Sequence, residues 1–131
     1  MAKVIVNGTF DILHPGHVKL LEYAGDLGSL LVCIDTDRRV KELKGPSRPI
    51  NNQDDRAFML GSLKFVDWVK TFDTDEELIK IIKDYRPDIM VKGSDYKGKP
   101  ILGEHLIKDI IFYDRVEPYS TTKAIQDIAN R

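Results

Sequence analysis

The 131 residues suit a single domain, which buries about two thirds of the surface that its unfolded chain would expose. The 20 Lys and Arg residues nearly balance the 21 Asp and Glu residues, and the net charge of −1 gives no indication of a nucleic-acid or membrane-surface partner. A signal peptide and an apolar run of roughly 20 residues are both absent, and a single cysteine, Cys33, excludes an intrachain disulfide. We therefore expect a cytoplasmic protein.

Short apolar runs alternate with helical periods along the chain. In chain order, the pattern predicts strand 2–7, helix 15–27, strand 29–35, helix 52–64, strand 67–72, helix 75–85, strand 88–92, strand 110–113 and helix 120–130. This alternation predicts an α/β fold, a Rossmann-like doubly wound parallel sheet of five strands. Two long connections, 36–51 and 93–109, leave carboxyl ends of strands, where open α/β sheets bind ligands.

The segment GTFDILHPGH, residues 8–17, lies where the first strand gives way to a helix. Pro15 suits the first helical position, and the helical period puts His17 on the same face as Leu21 and Ala24. The first turn of a helix presents unpaired N–H groups and the positive end of the dipole, which favour anions. One histidine on an apolar face is more often a core residue, but two histidines around this Pro-Gly favour a phosphate site.

These residues resemble the HxGH signature of the nucleotidyltransferase superfamily, in its cytidylyltransferase-like branch. The resemblance extends over residues 1–131 and implies transfer of a nucleoside monophosphate from a nucleoside triphosphate to a phosphorylated sugar or alcohol. It implies that His14 and His17 donate hydrogen bonds to the phosphates in the transition state. We expect Mg²⁺ because nucleoside triphosphates carry it and it needs few protein ligands; the sequence shows no metal site built by the protein alone. Relatives in this family often form dimers, so the resemblance also implies a homodimer.

The connection 36–51 is rich in cations, among them Lys44 and Arg48. A charged run is usually a solvated loop, but its Gly and Pro residues shape this one, and it could close over a triphosphate. The segment 41–69 resembles the adenylyltransferase domain that acts on a heptose 1-phosphate, and the wider branch has a phosphate-contacting lysine at Lys44. Arg56 begins a buried helical stripe. Its side chain could extend beside the core or pair with a phosphate. The resemblance supports the second interpretation, because the family has an arginine at this position.

Two later segments complete the candidate site. Ordinary turn chemistry explains the turn at 92–96, KGSDY. However, Lys92 ends a buried strand at the carboxyl edge, which favours a ligand-binding site. The resemblance implies that this segment lines the nucleotide pocket. Residues 115–123, RVEPYSTTK, resemble the RTxGISTT signature of glycerol-phosphate cytidylyltransferases, with Pro118 and Tyr119 in place of Gly-Ile. Helix capping alone also explains Ser120.

The residues and the resemblance together define three groups of candidate side chains. We predict the catalytic residues to be His14, His17, Lys44 and Arg56. We predict the nucleotide-binding residues to be Gly8, Thr9, Phe10, Gly16, Lys92, Gly93, Asp95, Arg115, Ser120, Thr121 and Thr122. Asp11 and Asp37 are candidates for the hydroxyl groups of the acceptor or for Mg²⁺.

Three functions are compatible with this sequence. Segments 41–69 and 87–97, which both resemble the heptose 1-phosphate adenylyltransferase domain, favour transfer of an adenylyl group from ATP to a sugar phosphate. Arg115 and segment 120–123 favour a cytidylyltransferase that uses CTP and glycerol 3-phosphate or a related alcohol phosphate. A nucleotide-binding module without turnover is the alternative from another class. A phosphate monoester is already anionic at neutral pH, so an enzyme of either kind needs no general base.

Overall fold

The computed structural model describes residues 1–114 and 121–129. Five strands lie in this part of the chain: β1 (Lys3–Gly8), β2 (Ser29–Asp35), β3 (Trp68–Phe72), β4 (Ile89–Gly93) and β5 (Asp109–Tyr113). The α-helices described are α1 (Pro15–Leu27), α2 (Asp37–Lys44), α3 (Gln53–Gly61), α4 (Asp75–Tyr85) and α5 (Thr121–Ala129). All strand pairs are parallel, in the order β3-β2-β1-β4-β5, which confirms the predicted five-stranded α/β sheet.

The sheet is covered on both faces, as a doubly wound fold requires. Alternate residues of β1 separate the two cores, because successive side chains of a strand point to opposite faces. One core joins the sheet to α1 and α3 through Val4, Val6, Leu21, Ala24 and Leu60. The other joins it to α4 through Ile5, Leu31, Cys33, Leu78 and Ile82.

The connection 36–51, expected to be a loop, contains helix α2. Thr36 caps this helix by accepting a hydrogen bond from the backbone N–H of Arg39 at 3.3 Å, and Val40 is its buried residue. Val40 and Leu43 are the two apolar residues of this otherwise charged helix of two turns, which is too few to show a helical period, so the sequence pattern missed the helix. The predicted helix 52–64 also ends earlier, at Gly61.

The strand order places a topological switch between β1 and β4. From β1 the chain proceeds outward through β2 to β3, and it then crosses to β4 and β5 on the opposite side. Ligands of open α/β sheets bind at such a point, outside the carboxyl ends of the strands. The β1–α1 turn, which carries the two histidines, lies at this edge. None of the helices in the described ranges has the length and apolar character needed to cross a membrane.

Candidate active site

A cavity of about 320 Å³ opens at the carboxyl edge of the sheet, around the β1–α1 turn. It brings together most of the predicted site residues, namely Gly8, Thr9, Phe10, Asp11, His14, Gly16, His17, Lys44, Lys92, Gly93, Asp95 and Thr122. Arg56 and Asp37 are not among its lining residues. Arg115 and Ser120 lie outside the described residues, as does the side chain of Thr121.

The two histidines cap helix α1 reciprocally. The Nδ1 atom of His14 accepts the backbone N–H of His17, and the Nδ1 atom of His17 accepts the backbone N–H of His14, both at 3.3 Å. The rings are stacked, with centroids 3.7 Å apart. A nitrogen that accepts a hydrogen bond carries no proton, so in the neutral form of each ring the proton is on Nε2. Each histidine is therefore a hydrogen-bond donor through Nε2.

The turn between β1 and α1 is tightly built around Phe10. Phe10 has a φ of +50°, in the left-handed region that non-glycine residues seldom adopt, at a cost of order 1–3 kcal/mol. Its ring contacts His17 edge-on, with centroids 5.1 Å apart. A Cβ on Gly8 would lie 3.0 Å from the Phe10 ring, so glycine allows this close approach. The turn thereby supports the His17 ring from the core side.

Asp11 holds the loop between α2 and α3 against the β1–α1 turn. Its carboxylate accepts the backbone N–H of Ile50 at 2.8 and 3.0 Å and that of Asn51 at 2.8 Å, and the Asn51 amide donates to the Asp11 carbonyl. Asp11 is 1% exposed. The loop expected to close over a triphosphate is thus held against the turn at Asn51. The Asp11 carboxylate holds this loop and also lines the cavity, and its predicted contact with an acceptor hydroxyl or Mg²⁺ stays a prediction.

Arg56 holds the same turn from beneath. It is fully buried, and its guanidinium donates to the carbonyls of Asn51 and Thr9, each at 2.9 Å, and to the carboxylate of Asp37 at 2.8 Å. A direct contact between Arg56 and phosphate does not fit this geometry, because the side chain is fully buried, does not line the cavity and donates through Nε, Nη1 and Nη2 to protein groups. Asp37 pairs with Arg56 through Oδ1 at 2.8 Å and is not among the lining residues, and its predicted contact with an acceptor stays a prediction.

Among the residues that the structure describes, three Lys and Arg side chains line the cavity. Partial burial, and after it the nearby charge of Arg48, lower the pKa of Lys44 at the end of α2. Burial also lowers the pKa of Lys92, which is 8% exposed at the end of β4 and lies over the Tyr96 ring at 4.5 Å. The third cation is Arg48, which lies in the loop that Asp11 holds.

Sequence reasoning missed Arg48 and Asn7 as site residues. The charge of the loop was visible, but no local pattern shows which of its cations face the cavity. Asn7 lines the cavity at the end of β1, and its Oδ1 atom is buried without a hydrogen-bond partner among the described residues. A polar residue that ends an apolar strand at the carboxyl edge was the available signal for Asn7. Within the described ranges, no group of three or more His, Cys, Asp or Glu residues could hold a metal ion.

The arrangement suits a polyanion that gains negative charge during reaction. Two imidazole N–H donors stand at the N-terminus of α1, and the cations of Lys44, Arg48 and Lys92 surround them. Fixed donors and cations that face developing charge are the principal means by which enzymes stabilise phosphoryl-type transition states.

Comparisons with known proteins give consistent results. The family model described as cytidylyltransferase-like matches residues 5–127. The bifunctional protein HldE of Campylobacter concisus is 52% identical over an alignment of 131 positions that covers 97% of this chain and 28% of that protein. HldE of a Nitratiruptor species is 52% identical over an alignment of 126 positions that covers 94% of this chain and 27% of that protein. The chain thus spans little more than a quarter of these curated relatives.

Solved structures share the fold. A lipopolysaccharide core biosynthesis protein from Thermoplasma volcanium is 25% identical, with a TM-score of 0.73 over 89% of this chain and 99% of that one. Pantothenate synthetase from Thermus thermophilus has 14% identity and a TM-score of 0.59, over 88% of this chain and 56% of that one. At 14% identity, the similarity to pantothenate synthetase concerns the fold alone.

Proposed function

This chain belongs to the cytidylyltransferase-like family of nucleotidyltransferases, and from that premise we propose that it transfers an adenylyl group from ATP to a sugar phosphate such as heptose 1-phosphate, releasing pyrophosphate. The observation that carries the proposal is the reciprocal cap of His14 and His17, which provides two Nε2–H donors at a helix N-terminus inside a cation-lined cavity. This constellation is complementary to a triphosphate.

The reaction needs positioning and charge neutralisation. An oxygen of the acceptor phosphate attacks the α-phosphorus in line and forms the new P–O bond, while the bond from the α-phosphorus to the bridging oxygen breaks. The electron pair of that bond leaves with pyrophosphate. The second pKa of a phosphate monoester is near 6, so the attacking oxygen is anionic at neutral pH and no side chain has to remove a proton.

The side chains divide into those that contact phosphate and those that hold them. His14 and His17 donate to the reacting phosphates, and Lys44 and Lys92 supply positive charge. Removal of one such preorganised donor typically costs about 10²- to 10³-fold in kcat. Arg56 and Asp11 are positioning residues, because they hold the β1–α1 turn and its neighbouring loop in place.

The family resemblance adds residues at the other end of the triphosphate. We assign Arg115, Ser120, Thr121 and Thr122 to the nucleotide phosphates, and of these the Thr122 side chain lies against the cavity. Magnesium would arrive bound to the triphosphate, keep several of its waters and neutralise part of the phosphate charge.

The choice of base and acceptor rests on similarity. The two HldE relatives are 52% identical, and the Thermoplasma protein is named for lipopolysaccharide core biosynthesis, which supports a sugar phosphate as the acceptor. The cytidylyltransferase alternative depends on Arg115 and segment 120–123, of which Arg115 and Ser120 lie outside the described residues. The homodimer and the cytoplasmic location stay predictions, and sedimentation analysis of the purified chain would test the first.

Pyrophosphate release tests the proposed function. The purified chain is incubated with each of the four nucleoside triphosphates and a panel of sugar 1-phosphates and polyol phosphates, and the products are weighed by mass spectrometry. We expect turnover with ATP and a sugar 1-phosphate, and an ADP-sugar as product. Turnover with CTP and glycerol 3-phosphate in preference to these would replace the proposal by its alternative. Nucleotide binding without pyrophosphate release from any pair would contradict both.

A further inference from the structure

Arg48 is a cavity residue whose guanidinium lacks a full set of partners. Its side chain is 17% exposed and lines the cavity beside the histidines. The Nε atom is buried, and among the described residues it has no hydrogen-bond acceptor. A buried N–H donor that gives up water without gaining an acceptor is unfavourable, so such a group indicates an acceptor that a ligand supplies.

The nearest carboxylate does not meet this need. Asp11 Oδ2 lies 3.8 Å from Arg48 Nε, beyond hydrogen-bond distance. Its carboxylate already accepts the backbone N–H groups of Ile50 and Asn51. Asp11 therefore keeps the loop that carries Arg48 in place, and it leaves the Arg48 donor for another anion.

Arg48 has a second cation beside it. Its charge is close enough to Lys44 to contribute to the lowered pKa of that lysine. Two like charges that face one cavity repel each other, and an anion between them relieves the repulsion. Arginine presents a planar fork that matches two oxygens of a phosphate, and lysine adds a compact charge.

The strand order shows on which side of the cavity Lys44 and Arg48 lie. Lys44 ends α2, which follows β2, and Arg48 belongs to the loop between α2 and α3. Both therefore come from the β2 side of β1, whereas Lys92 and Gly93 of β4, and Asp95 in the turn after it, come from the opposite side. The nucleotide belongs at the switch between β1 and β4, which leaves the β2 side to the second substrate.

We propose that Arg48, together with Lys44, binds the phosphate monoester of the acceptor and directs its oxygen toward the α-phosphorus. This inference rests on the proposed function and deepens it, because it assigns the two substrates to opposite sides of the histidine pair. It holds for any acceptor that carries a phosphate monoester, whichever base the nucleotide has.

Steady-state kinetics separate the two substrates. We compare Arg48→Gln, Arg48→Lys and, as a matched control, Lys41→Gln, which removes an exposed cation of α2 outside the cavity. For Arg48→Gln we expect the KM for the acceptor to rise about tenfold or more, with the KM for the nucleotide changed by less than about threefold. Arg48→Lys should recover part of the loss, because it restores the charge without the fork. Lys41→Gln should behave as the wild type.

Other kinetic outcomes overturn the proposal. A rise in the KM for the nucleotide alone would assign Arg48 to the triphosphate. Unchanged KM values for both substrates would make Arg48 a structural residue. Thermal unfolding of each variant shows whether the fold is kept, and Arg48→Lys provides the second comparison if Arg48→Gln is unstable.

A binding measurement keeps this test separate from that of the proposed function. Inorganic phosphate is titrated calorimetrically into the chain saturated with Mg²⁺ and a non-hydrolysable ATP analogue. We expect phosphate binding in the wild type and in Lys41→Gln, and its loss in Arg48→Gln. This result would stand even if no acceptor in the panel gave turnover. Equal phosphate binding by Arg48→Gln and the wild type, or none by either, would overturn the assignment of Arg48.

Discussion

His14 and His17 each hold the backbone N–H group of the other, through Nδ1 atoms at 3.3 Å. This pair of hydrogen bonds starts helix α1 and also leaves the proton of each neutral ring on Nε2. The start of the helix and the donor geometry of the site are therefore one structural feature. Substitutions that keep the cap but remove the Nε2–H donor can separate the two roles.

His14→Asn is such a substitution. Asparagine is among the preferred N-cap residues, so the free energy of unfolding should change by less than about 1 kcal/mol. Pyrophosphate release should fall by about 10²-fold or more, because a donor to the reacting phosphates is lost. His105→Ala is the matched control, since His105 is exposed and lies outside the cavity. Retention of activity within a few-fold by both His14→Asn and His17→Ala would make the histidines structural.

Arg56→Met should destabilise the fold. The change leaves the carbonyl of Thr9 and the partly exposed carboxylate of Asp37 without their donor, and each buried group left unsatisfied typically costs about 1–3 kcal/mol. Urea unfolding measures the loss. Arg38→Met is the control: it removes an exposed guanidinium that pairs with Glu42 and Asp73, and we expect no measurable change. A stable Arg56→Met variant with a raised KM for the nucleotide would instead support the phosphate contact predicted from the sequence.

Asp11→Asn should loosen the loop that carries Arg48. An amide accepts the N–H groups of Ile50 and Asn51 less strongly than a carboxylate does, and we expect a loss of about 2 kcal/mol in the free energy of unfolding. Hydrogen exchange at these two amides should become faster than in the wild type. Asp26→Asn, at an exposed position of α1, provides the control. Unchanged protection at Ile50 and Asn51 would show that Asp11 does not hold the loop.

Gly93→Ala should impair nucleotide binding with little effect on stability. The new Cβ would lie 2.6 Å from Asp95 Oδ1, and the Asp95 side chain can rotate away. We expect the KM for the nucleotide to rise several-fold and unfolding to change by less than about 1 kcal/mol. Gly61→Ala is the control, because its nearest neighbour is Val69 Cγ2 at 3.9 Å. An unchanged KM would place Asp95 outside the nucleotide site.

At neutral pH, Lys92→Met should weaken nucleotide binding and increase the free energy of unfolding. Burial lowers the pKa of Lys92 in the folded chain, although Asp35 and Asp95 oppose the shift, so the unfolded chain holds this proton more tightly. The free energy of unfolding therefore rises as the pH increases from the lowered pKa of folded Lys92 to the ordinary lysine pKa of 10.5. Below this range Lys92 is protonated in both states, and its buried charge destabilises the fold.

Urea unfolding at several pH values checks this prediction. The stability of Lys92→Met relative to the wild type should decrease as the pH rises toward 10.5, while nucleotide affinity falls about tenfold. Lys64→Met, at an exposed position, should leave both quantities unchanged. A constant stability difference across the pH range would contradict the role assigned to burial.

Local sequence patterns predicted much of the fold. The bounds of α1, β2 and α4 agree with those predicted, because each combines a clear period with a start or stop signal such as Pro15. Helix α2 was missed, since Val40 is its one buried residue and its cap, Thr36, is an ordinary polar residue in sequence. The helix is charged, short and defined by its cap, and periodicity does not report such features.

Local sequence was sufficient to predict the parallel sheet, the histidine turn at its carboxyl edge and the cationic loop beside it, because period and turn chemistry depend on neighbouring residues. Which charged groups face the cavity depends instead on contacts that form when the chain folds. Arg56 finds its partners in Thr9 and Asp37, 47 and 19 residues away, and so becomes a support of the turn. Arg48 has no such acceptor for its buried Nε among the described residues. Burial and long-range hydrogen bonding thus make Arg56, which the sequence pattern predicts as catalytic, a support of the turn, and they leave Arg48, which the pattern does not single out, in the cavity.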